Sequence, residues 1–102
     1  MQIEKGKIEG DVAVEGDFQL DGMINGSAYV KQGGRFYLKG MVVGGLTVEE
    51  GGHAEVRGMV NGDATNVGGT LEVYGMVLGA VRGSSVSTFV DSNAIVGSRA
   101  IA

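Results

Sequence analysis

The sequence predicts an all-β, single-domain parallel β-helix, a β-solenoid of five to six coils with about 18 residues in each. Three observations lead there. A Gly-Met-aliphatic phrase recurs at Gly22-Met23-Ile24, Gly40-Met41-Val42, Gly58-Met59-Val60 and Gly75-Met76-Val77. A second glycine follows each phrase at a fixed distance. The apolar residues between the glycines alternate at period two in patches of two or three, the pattern of short strands joined by tight turns.

Counted from the glycine that opens each phrase, the coils begin at Gly6, Gly22, Gly40, Gly58 and Gly75, with a degenerate sixth at Asn93; the steps are 16, 18, 18, 17 and 18 residues. The first coil sets the pattern, with Ile8, Gly10 and Val12 two, four and six positions after its start. The second repeats it as Ile24, Gly26 and Ala28, the third as Val42, Gly44 and Leu46. The fourth gives Val60, Gly62 and Ala64, and the fifth Val77, Gly79 and Val81. In the sixth, Ile95 and Gly97 are expected to continue the first two columns. Ahead of the second to fifth starts stand the pairs Phe18/Leu20, Phe36/Leu38, Ala54/Val56 and Leu71/Val73. On pleated strands all these positions face one way, so stacking the copies in register builds a continuous apolar interior that no coil could bury alone.

Glycine at the corners is expected to supply backbone angles that a β-carbon penalises. With strands ~4.8 Å apart, five to six coils make a rod of roughly 25–28 Å. From Ile24 to Val60 an apolar or small residue also falls every six positions (Ile24, Val30, Phe36, Val42, Val48, Ala54, Val60). Left-handed hexapeptide helices share that rhythm, so spacing alone leaves the hand open.

Composition narrows the function. The length suits one domain, covering residues 1–102, and there is no apolar run long enough to span a bilayer. The first residues, Met1 to Lys5, lack a signal-peptide core, so a cytoplasmic address is expected. The absence of cysteine removes disulfides, thiolate nucleophiles and Cys-ligated zinc. A net charge of -4 argues against nucleic acid as a partner, because phosphate recognition needs clustered Lys and Arg. Twenty glycines with no proline stand beside 43% hydrophobic residues, which marks a folded, turn-rich repeat.

No catalytic, cofactor or metal site is expected. His53, the one histidine, shares an outward column with Asp17, Arg35 and Thr70 beside a glycine corner. An acyltransferase of the left-handed-helix class would need that histidine as base together with more coils and a C-terminal helix. Asp11, Asp17, Asp21, Asp63 and Asp91 read as scattered over different columns, without a calcium-binding repeat. The glycines precede no helix that could hold a phosphate.

The outward columns say more. Glu15, Lys31, Glu49 and Val67 alternate in charge from coil to coil, a source of modest cross-strand attraction. Asp21, Lys39, Arg57 and Tyr74 form another column, and Arg35, Lys39 and Arg57 are expected to make a basic patch. Met23, Met41, Met59 and Met76 stack beside the inward aliphatics, and period two turns them outward. Val43, Leu78 and Val96, one residue past the inward column, are expected on the same face. Together these form an apolar stripe of the kind that marks contact surfaces, and methionine adapts to varied partners. The end coils, carrying Ile3 and Ile101, are expected to present strand edges and a cross-section of core with no helical cap, a template for a further copy. Ser84, Ser85, Ser87, Asp91, Ser92, Asn93 and Ser98 soften the C-terminal coils.

"GKIEGDVAV" at Gly6 to Val14 and "GGHAEVRGMVNGDA" at Gly51 to Ala64 closely resemble the bactofilins, small bacterial cytoskeletal proteins. The likeness runs from Gly6 to about Gly83 and returns in "NAIVG" at Asn93 to Gly97, carried by the phrase G-x-[IV]-x-G-[DN]. The resemblance implies a right-handed parallel β-helix with a triangular core, polymerising into filaments without nucleotide. Proline-rich tails and the membrane-targeting segment of some bactofilins are not seen in this sequence, so membrane association is not among the expectations.

Two functions follow. One is a non-catalytic scaffold that associates with itself end to end through its terminal coils. The other is a small module that grips a different protein through the methionine stripe, as an adaptor or a toxin-inhibiting immunity factor would.

Overall fold

Like residues lie over like along five inward columns. The computed structural model describes residues 1–101 and contains short strands joined by turns, bends and irregular links, with no helix among them. The first coil carries β1 (Gln2–Glu4), β2 (Lys7–Glu9) and β3 (Val12–Val14); the second β4 (Asp17–Leu20), β5 (Met23–Asn25) and β6 (Ala28–Val30). The third carries β7 (Arg35–Leu38), β8 (Met41–Val42) and β9 (Leu46–Val48); the fourth β10 (His53–Val56), β11 (Met59–Val60) and β12 (Ala64–Asn66). In the fifth, β13 (Thr70–Val73) is followed by the long β14 (Met76–Gly83), and in the sixth β15 (Thr88–Val90) by the long β16 (Ile95–Ile101).

Every strand pairs in parallel with its copies in the neighbouring coils, giving a β-solenoid of about six turns. Three ladders result. One is β1-β4-β7-β10-β13-β15. The other two, β2-β5-β8-β11 and β3-β6-β9-β12, merge into one sheet because β14 runs unbroken across the corner and pairs with both β11 and β12; β16, paired with β14, makes it ten-stranded.

The predicted core is found in place. Ile24, Val42, Val60 and Val77 stack in register and are fully buried, as are Ala28, Leu46, Ala64 and Val81. Leu20, Leu38, Val56 and Val73 form a third column, and Phe18, Phe36, Ala54 and Leu71 a fourth, in which the Phe18 and Phe36 rings stack at 5.8 Å. Val14, Val30 and Val48 begin the fifth, which then turns polar at Asn66. All belong to one continuous cluster. The molecule measures 33 × 24 × 20 Å, its longest dimension exceeding the sequence expectation by a few ångströms.

The sixth coil departs from the expected register. Ile95 pairs with Met76 and is largely exposed, while Val96 pairs with Val77 and packs against the core. The slot assigned to Ile95 is therefore filled by Val96, and the coil starts at Ala94 rather than Asn93. The cause lies in the corner. In earlier coils two residues turn it, both N–H groups donating to one carbonyl, as Lys39 and Gly40 do to Leu20 at 2.9 Å. Before β16 a four-residue turn, Asp91 to Ala94, replaces this corner and is closed by the Ala94 N–H donating to the Asp91 carbonyl at 3.0 Å. A register shift between Val77 and Ala80 then restores the spacing, setting Leu78 and Gly79 against Gly97.

The glycines that open the second to fifth coils are needed for space rather than for backbone angle. At Gly22, Gly40, Gly58 and Gly75 φ is not positive, but a β-carbon there would overlap the carbonyl oxygen of the corresponding glycine one coil earlier. Positive φ falls elsewhere: at Gly10 (+96°) in the first coil, at Gly83 (+153°) and at Gly33 and Gly51, both at +81°, which occupy the third place of turns closed by Gly34 N–H to the Lys31 carbonyl and Gly52 N–H to the Glu49 carbonyl, each at 2.9 Å.

Candidate functional site

The bare glycine corner leaves a furrow, and the methionines line it. Met23, Met41, Met59 and Met76 stand in register on the outer side of their ladder, with Lys7 before them and Ile95 after them in the same column. Beside that column Gly22, Gly40, Gly58 and Gly75 line the groove, and Asp21, Arg57 and Tyr74 stand along it. Lys5 and Lys7 lie at the first-coil end, Asn93 and Ile95 at the last. The groove is wide open to solvent and offers about 870 Å³, against about 590 Å³ for the hollow beside Arg35 and His53.

Arg57 is fixed by two contacts. Its Nε donates to Glu55 Oε2 at 2.7 Å, and its guanidinium lies 4.4 Å from the centre of the Tyr74 ring. The bond to Glu55 raises the guanidinium pKa above its ordinary value. Tyr74 Oη donates to Glu72 Oε1 at 2.7 Å; that bond, then burial, raises the phenol pKa. Glu72 also approaches His53 Nε2 at 3.4 Å.

The structure sorts the residues singled out in the sequence. It brings together the four methionines. Val43 and Leu78 point outward on the same ladder but stand outside the groove, and Val96 is turned inward by the changed corner. Ile95 instead extends the methionine column, and Gly97 lies against Leu78 in the place expected of Val96. The expected basic patch does not form as one unit. Arg35 and Lys39 flank opposite ends of β7, so their Cα atoms are about 13 Å apart at the rise of a strand. Arg35 lines a separate glycine-walled hollow with His53, and Arg57 is neutralised by Glu55. Lys39 borders a shallow pocket shared with Glu55 and Arg57.

Nor are the aspartates all scattered. Asp11 and Asp63 occupy one column with Ser27 between them. Their side chains accept backbone N–H groups of the next coil: Ser27 N–H to Asp11 at 2.9 Å, Gly45 N–H to Ser27 Oγ at 3.2 Å, Ala80 N–H to Asp63 at 2.8 Å. They satisfy donors where the ladder is interrupted. Among the described residues no cluster of three or more His, Cys, Asp or Glu is placed to hold a metal ion. The alternating column is realised by Lys31 and Glu49, 2.8 Å apart.

Both end coils present core. At the first, Ile8 and Val12 are only partly covered; at the last, Val90, Ala94, Val96 and Ile101 are. Ile3 is 51% exposed on the outer side of β1, and no helix covers either end among the described residues. The inward columns also change character there. Gln2 and Glu4 precede Phe18 and Leu20 in their columns, and Arg99 follows Val81. No helix among the described residues is long and apolar enough to cross a membrane. In comparisons with family models, curated proteins and solved structures, none matches this chain.

Sequence reasoning missed Lys5, Lys7, Asp21 and Tyr74 as groove residues. The signal was available for Lys7, which sits one position after the Gly6 start, where the later coils carry methionine.

Proposed function

We propose that the protein is a non-catalytic structural scaffold of bactofilin type that polymerises end to end, without nucleotide, through its terminal coils. The observation that carries this reading is the pair of open ladder ends. The outer edges of β1, β2 and β3 at one end, and of β15 and β16 at the other, have no further strand beyond them among the described residues. Partly covered apolar columns lie directly beneath those edges. A further copy stacked there gains backbone hydrogen bonds and buries apolar surface in one step. The ends differ in charge. Glu4, Glu9, Asp11 and Glu15 outnumber Lys5 and Lys7 in the first coil, whereas Asp91 and Arg99 balance one another in the sixth, so two first-coil ends repel more than a first-coil end and a sixth-coil end do. That difference supports head-to-tail contact.

Sedimentation and negative-stain microscopy of the purified chain test this. Expected are rods that lengthen with concentration while keeping the 20–24 Å cross-section of the single molecule. A strictly monomeric species at high concentration, indifferent to salt, overturns it. A second reading, a cytoplasmic adaptor or immunity-type module gripping one partner protein, is favoured by the methionine groove, which lies along the side of the rod and stays open in an end-to-end polymer.

A further inference from the structure

We infer that the groove receives an amphipathic α-helix of about four turns, lying along the rod with a carboxylate-bearing C-terminal end over Lys5 and Lys7. This rests on the partner-binding reading and names the occupant.

Direction selects a helix. The groove runs across β5, β8, β11 and β14, whose backbone groups are directed to the strands before and after them in the ladder. An extended segment lying along the groove would cross these strands and find no ladder to join. A helix satisfies its own backbone and offers only side chains.

Length and pitch agree. From Lys7 to Ile95 the column spans six rows, so five spacings of ~4.8 Å give about 24 Å, the length of roughly 16 helical residues. The helical pitch of about 5.4 Å is close to the row spacing, so apolar side chains at i, i+4, i+7 and i+11 meet successive methionine rows. Thioether side chains adjust to the remaining mismatch.

Charge sets the polarity. On a protein of net charge -4, the groove presents Lys5, Lys7 and Arg57 against the single carboxylate of Asp21. Lys7 is bridged by Glu9 at 2.9 Å and Arg57 by Glu55, whereas Lys5 has no carboxylate partner among the described residues. The two lysines share one end. A helix C-terminus carries the negative end of the peptide dipole, and Asp or Glu in its last turn adds charge that the lysines attract.

The test is a display selection of random 16-residue peptides on the full chain, counter-selected on the M41E/M59E variant. Expected winners place apolar residues at i, i+4, i+7 and i+11 with Asp or Glu in the last turn. Synthetic copies should gain helical circular dichroism on binding and lose at least about tenfold in affinity on M41E/M59E, the scale of one interface hot spot. The exposed pair K5E/K7E, remote from the core, should shift the selection towards Lys or Arg in the last turn. Winners with period-two patterning that still depend on Met41 and Met59 overturn the helix and leave the groove as a binding site. Peptides indifferent to Met41 and Met59, or no enrichment at all, overturn the groove reading as well.

Discussion

Two kinds of glycine hold this rod together, and substitution separates them. At Gly33, φ is +81° and an added β-carbon meets nothing within 4 Å, so alanine there costs only left-handed strain, about 1–2 kcal/mol. Asparagine, which tolerates that region, should recover part of the loss. At Gly40 the backbone angle is ordinary but the β-carbon overlaps the Gly22 carbonyl, so Gly40→Ala should cost more than Gly33→Ala, and asparagine should recover nothing. Urea unfolding of the four variants checks the ordering. Asn66 tests a different rule. It stands in a valine column, 6% exposed, with its amide donating to the Ser87 carbonyl at 3.0 Å and Thr88 Oγ1 at 3.0 Å while its oxygen accepts the Gly69 N–H at 2.9 Å. Asn66→Val removes all three and should destabilise by about 1–3 kcal/mol despite restoring the apolar pattern. A neutral result in thermal unfolding would show that the polar plug is dispensable.

The elements were legible where the repeat is regular and obscure where one corner changes. The recurring spacing from Gly6 to Val81 placed four of the five inward columns, because parallel in-register pairing turns sequence period directly into a column; of the fifth, Val30 and Val48 showed only in the six-residue rhythm and Val14 not at all. The sixth coil misled because two residues were added inside its corner, Asp91 to Ala94, and one was taken back at the bulge opposite Gly97. A count from the next glycine absorbs both changes and assigns Ile95 the wrong face. The methionine column could be read from alternation alone. That it borders a groove could not, since the furrow depends on stacked corners lacking side chains. The basic patch failed because Arg35, in another column at the far end of β7, was taken as a neighbour of Lys39 and Arg57, and because Glu55 pairs with Arg57. At the same corner, the Tyr74–Glu72 hydrogen bond predicts a pH response. The phenol pKa is raised in the folded state, so its contribution is complete below the ordinary tyrosine value and is lost as pH rises through the folded value. Ultraviolet titration should show Tyr74 ionising late, and Glu72→Gln should return it towards the ordinary value.

On the scale of the whole molecule, each coil contacts only the coils on either side, so stability is a chain of nearest-neighbour terms and unfolding begins at the ends. Ile8 and Val12 at one end and Val96 and Ile101 at the other are incompletely covered, while Val42 and Val60 in the middle are sealed. Hydrogen exchange should therefore be slowest in β8 and β11 and fastest in β1 and β16. If copies stack, each covers the other's weakest coil, and the midpoint of thermal unfolding should rise with protein concentration. A midpoint independent of concentration would count against stacking.

The ladder bonds run along the rod while the strands run across it, and this decides how the molecule carries load. Tension between the ends pulls those bonds apart one row at a time instead of shearing many at once. A stretched molecule should pay out its windings singly at low force, each of about 18 residues releasing roughly 60 Å of chain. Squeezing presses the same rows together, so the molecule is built as a strut rather than as a cable.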